Sequence, residues 1–168
     1  ISSYPGVKGR CEIIPTGKDF TVICDYAHTP DAVTNILCSV KEYCSGRLIC
    51  LFGCGGNRDS KKRPLMAKAA AEYSDLVIVT SDNPRDEEPQ AIIDDIKTGI
   101  AKTDGTYVEI IDRKEAIRYA IENGQPGDVI VLAGKGHEDY QEIKGVKYHM
   151  DERELIAEVC AQNIEGNR

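Results

Sequence analysis

Four short apolar runs constrain this chain more than anything else in it: Thr21 to Cys24, Leu48 to Phe52, Leu76 to Thr80 and Val129 to Ala133. None of them alternates with polar residues, so each reads as a strand buried on both faces. Helix-like segments separate them. Thr29-Pro30-Asp31 reads as an N-cap followed by proline at the first helical position, opening a helix to about Cys44. Pro64 begins an alanine-rich helix to about Tyr73, and Pro89 to Ile100 forms the next. Val108 to Ile111 is a short strand. Asp112 with Glu115, and Asp151 with Glu154, have the spacing of capping boxes that open two further helices, the first reaching Glu122. Glu142-Ile143 and Val146 to Tyr148, joined through Lys144-Gly145, read as a small hairpin. Strands that alternate with helices predict an α/β fold: a Rossmann-like, mostly parallel sheet flanked by helices, with a small hairpin near the C-terminus. Residues 1–9 read as a linker from something longer, and 10–168 as one domain.

Charge and cysteine usage exclude several classes. The net charge is −7, which argues against a nucleic-acid polymer or an anionic membrane as the main partner. No apolar stretch approaches the roughly 18 residues of a membrane span, and no signal peptide is expected. The seven cysteines are odd in number and scattered, with no CxxC pair. That is neither a disulfide framework nor a zinc site, and it points to a reducing cytoplasm.

Four loops follow the apolar runs: Asp25 to Thr29, Gly53 to Arg63, Ser81 to Glu88 and Gly134 to Tyr140. In a parallel sheet they open at one edge, outside the carboxyl ends of the strands, where ligands of such folds bind. Asp82-Asn83-Pro84-Arg85 offers an acid, an amide and a guanidinium together. Asp82 suits an ammonium, and Arg85 suits a carboxylate held by two parallel hydrogen bonds, so the set suits an amino acid. Its other reading is an Asx turn with a solvated Arg85. Gly53-Cys54-Gly55-Gly56 lets backbone approach a ligand closely, or is a tight turn. It matches neither GxGxxG nor GxxxxGK[ST], and Gly134-Lys135-Gly136 lacks the Ser or Thr that would hold magnesium. A protein of this kind that uses ATP needs its phosphate loop from elsewhere. His28 precedes a helix N-terminus, a position that favours anions, though a lone histidine is also commonly structural. His137-Glu138 lacks the second histidine of HExxH, and no serine elbow is present. Lys61-Lys62-Arg63 reads as a solvated face or a phosphate contact.

Taken together, Asp25-Tyr26-Ala27-His28-Thr29-Pro30-Asp31, Phe52 to Asp59, Asp82-Asn83-Pro84-Arg85 and Gly134-Lys135-Gly136-His137-Glu138 closely resemble the C-terminal domain of the Mur ligases, in the family's own order. The resemblance is to the members that add meso-diaminopimelate to UDP-N-acetylmuramoyl-L-alanyl-D-glutamate. It implies ATP-dependent amide formation in peptidoglycan synthesis, with this chain as the third of three domains. The UDP-N-acetylmuramoyl-dipeptide would be bound through the other two. They would also hold most of the ATP and magnesium, so no metal site is expected here and the chain alone is expected to be inactive. By motif, the resemblance assigns Arg58, Asp82, Asn83, Arg85, Gly134 and Glu138 to diaminopimelate, and Arg10, Asp25 and His28 to the nucleotide.

Two positions depart from the family pattern. Lys8 stands where proline often precedes the glycine-arginine pair matched by Gly9-Arg10, and Asn57 stands where aspartate is common. Two other functions fit parts of the pattern. One is a stand-alone amino-acid or nucleotide-binding module without catalysis; the other is a related ligase adding lysine or glutamate, against which Arg85 argues.

Overall fold

The computed structural model describes residues 8–165, with side chains through residue 162. Most of the expected linker, residues 1–7, lies outside the described residues. The sheet has six strands: β1 (Glu12–Ile14), β2 (Thr21–Asp25), β3 (Leu48–Phe52), β4 (Leu76–Val79), β5 (Tyr107–Glu109) and β6 (Val129–Ala133), in the order β1-β2-β6-β3-β4-β5. All neighbouring pairs are parallel except β1 with β2. The apolar runs thus occupy the centre of the sheet, as expected. The antiparallel edge strand β1 was not expected. It is three residues long and buries only Ile14 fully, too little pattern to read.

Side chains alternate across the central strands into two cores. Cys50, Phe52, Val77, Val79, Val131 and Ala133 face α1 (Pro30–Lys41), α2 (Lys62–Tyr73) and α3 (Pro89–Ile100). Ile49, Leu51, Ile78, Ile130 and Leu132 face α4 (Arg113–Glu122) and α5 (Glu152–Glu165). Burial on both sides is the reason these strands read as continuous apolar runs. α2 starts two residues before Pro64, which occupies the third helical position. The first-turn N–H groups have no intrahelical acceptor, so proline costs little there. α3 packs closely on that turn because Gly99 has no side chain: a Cβ there would lie 2.0 Å from the Pro64 carbonyl.

The caps form from the expected residues, but the boxes do not close. Thr29 Oγ1 accepts from Ala32 N (3.2 Å), and Asp112 Oδ1 accepts from Lys114 N and Glu115 N. Asp151 Oδ1 accepts from Arg153 N (2.9 Å). Glu115 turns toward Arg118 instead of back to the cap, and Glu154 lies 2.7 Å from His149 Nε2. The hairpin, β7 (Tyr140–Ile143) with β8 (Val146–His149), turns through Lys144 (φ 48°) and Gly145 (φ 77°), the left-handed pair of a type I′ turn.

Candidate functional site

Strands β2, β3, β4 and β6 are parallel, so the four polar loops leave the same edge of the sheet. They enclose a cleft of about 560 Å3. Arg58, Asp82, Asn83, Arg85, Gly134 and Glu138 all line it, and so does His28. Six residues drawn from three loops up to 80 positions apart thus meet in one space.

The hairpin and the glycine loop hold the Asp82–Arg85 segment from two sides. Arg85 adopts φ 52°, unusual for a side chain of its size. Its N–H donates to Glu142 O (3.1 Å) and its carbonyl accepts from Lys144 N (2.9 Å), which fixes that conformation. Its guanidinium donates through Nη1 to Gly56 O (2.9 Å), and Nε lies 3.3 Å from Glu142 Oε2. Arg85 is therefore not a solvated turn residue: its side chain is 19% exposed. Asn83 is buried and spends its amide on the protein. Oδ1 accepts from Lys135 Nζ (2.8 Å) and Glu142 N (2.9 Å), and Nδ2 donates to Glu138 Oε2 (3.3 Å). Asp82 Oδ1 lies 3.0 Å from Lys135 Nζ, an ion-pair distance without hydrogen-bond alignment. Arg58 is exposed at the rim and makes a local bond to Asn57 O (3.1 Å).

A family model described as "Mur ligase, glutamate ligase domain" matches residues 9–136. This chain belongs to the Mur ligase family. It is 55% identical over 161 residues to the UDP-N-acetylmuramoyl-L-alanyl-D-glutamate–2,6-diaminopimelate ligase of Caldanaerobacter subterraneus subsp. tengcongensis, covering 96% of this chain and 33% of that protein. It is 56% identical over 153 residues to the enzyme of the same name from Aquifex aeolicus, covering 91% of this chain and 31% of that one. A solved structure of an enzyme of that name superposes with a TM-score of 0.89 at 44% identity, over 95% of this chain and 32% of that chain. The chain spans about a third of the length of the curated relatives it matches.

The glycines of the Mur ligase domain serve its own packing as well as the cleft. The expected close approach is made, but to the chain itself: a Cβ on Gly56 would lie 1.9 Å from Pro84 O, and one on Gly53 would lie 2.4 Å from Thr80 O. Gly56 N also donates to Asn83 O (2.8 Å). Gly56→Ala is expected to force these loops apart at a cost of about 1–3 kcal/mol. The melting temperature of the purified domain should fall by roughly 2–12 °C. No measurable shift would show that the two loops are not packed together.

Three buried cations were not legible as such in the sequence. Lys135 is fully buried, with Tyr140 O (2.9 Å) as a further acceptor. Arg63, read with its neighbours as solvated or phosphate-facing, is 3% exposed and bonds Glu87, Asp95 and Gly55 O. The solvated reading fails for Arg63 because α2 begins early and turns it inward; Lys62 and Arg63 both line the cleft. Arg113 donates to Glu152, to Ser81 O and to Ala133 O. The two carbonyls stand at the roots of two cleft loops. Helical periodicity carries no mark of such partners.

Of the residues assigned by motif to the nucleotide, only His28 reaches the cleft. Its Nδ1 lies 2.9 Å from Tyr26 O, and the Tyr26 ring packs against it. Asp25 is occupied structurally, accepting from Cys11 N (2.7 Å) and Ala27 N (2.9 Å), and Arg10 is exposed. Cys54 lines the cleft, but burial pushes its thiol up to about 12, so it is not a thiolate at neutral pH. Among the described residues, no cluster of His, Cys, Asp and Glu is arranged to hold a metal ion.

Proposed function

We propose that this domain binds meso-diaminopimelate in the cleft and presents its amine for amide formation within a longer, ATP-dependent ligase of peptidoglycan synthesis. The observation that carries the reading is the convergence of Arg58 and Arg85 with Asp82, Glu138 and Gly134 in one cleft. Diaminopimelate has two carboxylates and two ammonium groups, and the cleft offers partners of both signs. The outward edges of Asp82 and Glu138, with the Gly134 carbonyl, accept from an ammonium; Arg85 and Arg58 meet carboxylates. The names and identity of the relatives support the same substrate.

In this reading residues 1–9 lead from an upstream domain and residues 10–168 form the amino-acid-binding domain. ATP would phosphorylate the glutamate side-chain carboxylate of the UDP-linked dipeptide. The amine of diaminopimelate attacks the acyl phosphate, loses a proton, and displaces inorganic phosphate as the amide forms. In this reading ATP and magnesium are held mainly by the remaining two-thirds of the enzyme. Arg10, Asp25 and His28 would meet the nucleotide on closure, and of these His28 lines the cleft. On the same reading the reaction, which uses a nucleotide-linked substrate, takes place in the cytoplasm. Among the described residues no helix is long and apolar enough to cross a membrane.

The test is a titration of the 168-residue chain with meso-diaminopimelate and with L-lysine, followed by amide NMR. Residues 82–85 and 134–138 are expected to shift with diaminopimelate and to require at least about tenfold more lysine, a difference of about 1.4 kcal/mol. Equal responses to the two ligands would overturn the assignment of Arg85. No response to either would favour a module with a different ligand.

A further inference from the structure

Behind the lining of the cleft lies a charge that no assigned role uses. Lys135 lies between the two glycines of Gly134-Lys135-Gly136 and is completely buried. We propose that Lys135 is a positioning residue: its ammonium holds Asp82, Asn83 and Glu138 in register, so that the outer edges of both carboxylates face a substrate ammonium. The proposal rests on the reading of the cleft as a diaminopimelate site.

A lysine is among the costliest residues to bury, and it persists only where acceptors replace water. The Lys135 Nζ has four partners: it donates to Asn83 Oδ1 (2.8 Å) and Tyr140 O (2.9 Å), and lies at ion-pair distance from Asp82 Oδ1 (3.0 Å) and Glu138 Oε2 (3.6 Å). Three of them belong to residues assigned to the substrate. An ammonium only donates, so it fixes which end of the Asn83 amide faces it. The other end then donates to the same Glu138 oxygen (3.3 Å). Asp82 Oδ1 is buried without a hydrogen bond, so the exposed part of that carboxylate is its Oδ2 edge. That edge lies beside Gly134, where a Cβ would come within 3.3 Å of it. Two carboxylates against one internal ammonium leave one negative charge uncompensated, which suits one more cation. Removing Lys135 would add negative charge, but it would also leave two carboxylates facing each other with nothing between them, and the loops would part.

The decisive comparison is Lys135→Met in the ligase that carries this domain. KM for meso-diaminopimelate is expected to rise by about tenfold or more, as for a binding group displaced by an ångström. The KM values for ATP and for the nucleotide-linked dipeptide, and kcat at saturation, are expected to stay within about threefold. A lysine that only supports the fold would lower the melting temperature and the active fraction but leave KM for diaminopimelate unchanged, and that result overturns the proposal. If Lys135→Met does not fold, the wild-type chain decides. In a nitrogen-15 spectrum of its lysine ammonium groups, the Lys135 signal should be protected from exchange and should shift on adding diaminopimelate, together with the amides of residues 82–85. An unmoved ammonium signal beside shifted amides overturns the role of Lys135. If ammonium and amides both stay still, the diaminopimelate reading itself falls, and the proposal falls with it.

Discussion

Arg85→Ala, made in the ligase that carries this domain, is expected to lower kcat/KM for meso-diaminopimelate by about tenfold to 150-fold and to narrow its advantage over lysine. Lysine and diaminopimelate differ by one carboxylate at the distal end. A hydrogen bond to a charged group contributes about 1.5–3 kcal/mol, which sets that range at about 1.4 kcal/mol per decade. A fully buried, unpaired guanidinium would discriminate more strongly. Arg85, however, is 19% exposed and keeps Glu142 and Gly56 O as partners when the substrate carboxylate is missing. Those partners soften the penalty for lysine. Arg85→Lys is not expected to restore the preference, because an ammonium cannot hold Gly56 O and a carboxylate with one planar fork. The measurement is kcat/KM for both amino acids in wild type and both variants. A mutant that keeps the wild-type preference would mean that Arg85 serves only the loop.

The second large effect lies beneath the cleft. Arg113 and Glu152 open α4 and α5, stand 3.1 Å apart, and have side chains with no solvent exposure. Arg113 Nε donates to Glu152 Oε2, and Oε1 has no hydrogen-bond partner among the described residues, so the carboxylate depends on Arg113. Arg113→Met leaves that carboxylate buried alone, and Glu152→Leu leaves the buried guanidinium without its counter-charge, on the carbonyls of Ser81 and Ala133 only. Each is expected to destabilise by about 3–5 kcal/mol. At about 2–4 °C per kcal/mol, the melting temperature should fall by roughly 6–20 °C. The double variant Arg113→Met/Glu152→Leu is expected to recover much of this, because an apolar pair can replace a buried ion pair at little cost. Thermal unfolding of the three variants decides. Single variants within about 1 kcal/mol of wild type would show that the pair is hydrated. Arg113 also donates to Ser81 O and Ala133 O, so Arg113→Met should loosen both cleft loops at their roots.

Much of this architecture was legible before any coordinates. Val129 to Ala133 and Leu48 to Phe52 have no polar side to offer water, so they belong in the middle of a sheet covered on both faces. Parallel strands then send the loops after Asp25, Phe52, Val79 and Ala133 to one edge. The acid, amide and guanidinium of Asp82-Asn83-Pro84-Arg85 had to stand at that edge, whatever their partners. Proline and cap residues located α1, α3 and α4 to within a few positions, because they act through their own backbone and the next turn.

What the tertiary structure alone decided is how the charges are paired. Asn83 reads equally well as a ligand or as a turn residue until Lys135, 52 positions away, is seen to occupy its carbonyl oxygen. Arg63, Arg113 and Lys135 have the side chains of surface residues, and their burial depends on carboxylates and carbonyls supplied by other elements. The glycines of the Gly53 loop gained their meaning from Pro84, and β1 from the open edge of β2. The physical reason is one of range. Apolar periodicity, capping and turn chemistry act within a few residues and are written into the chain locally. The compensation of a buried charge depends on distance in space, so it exists only once the sheet has brought distant loops together.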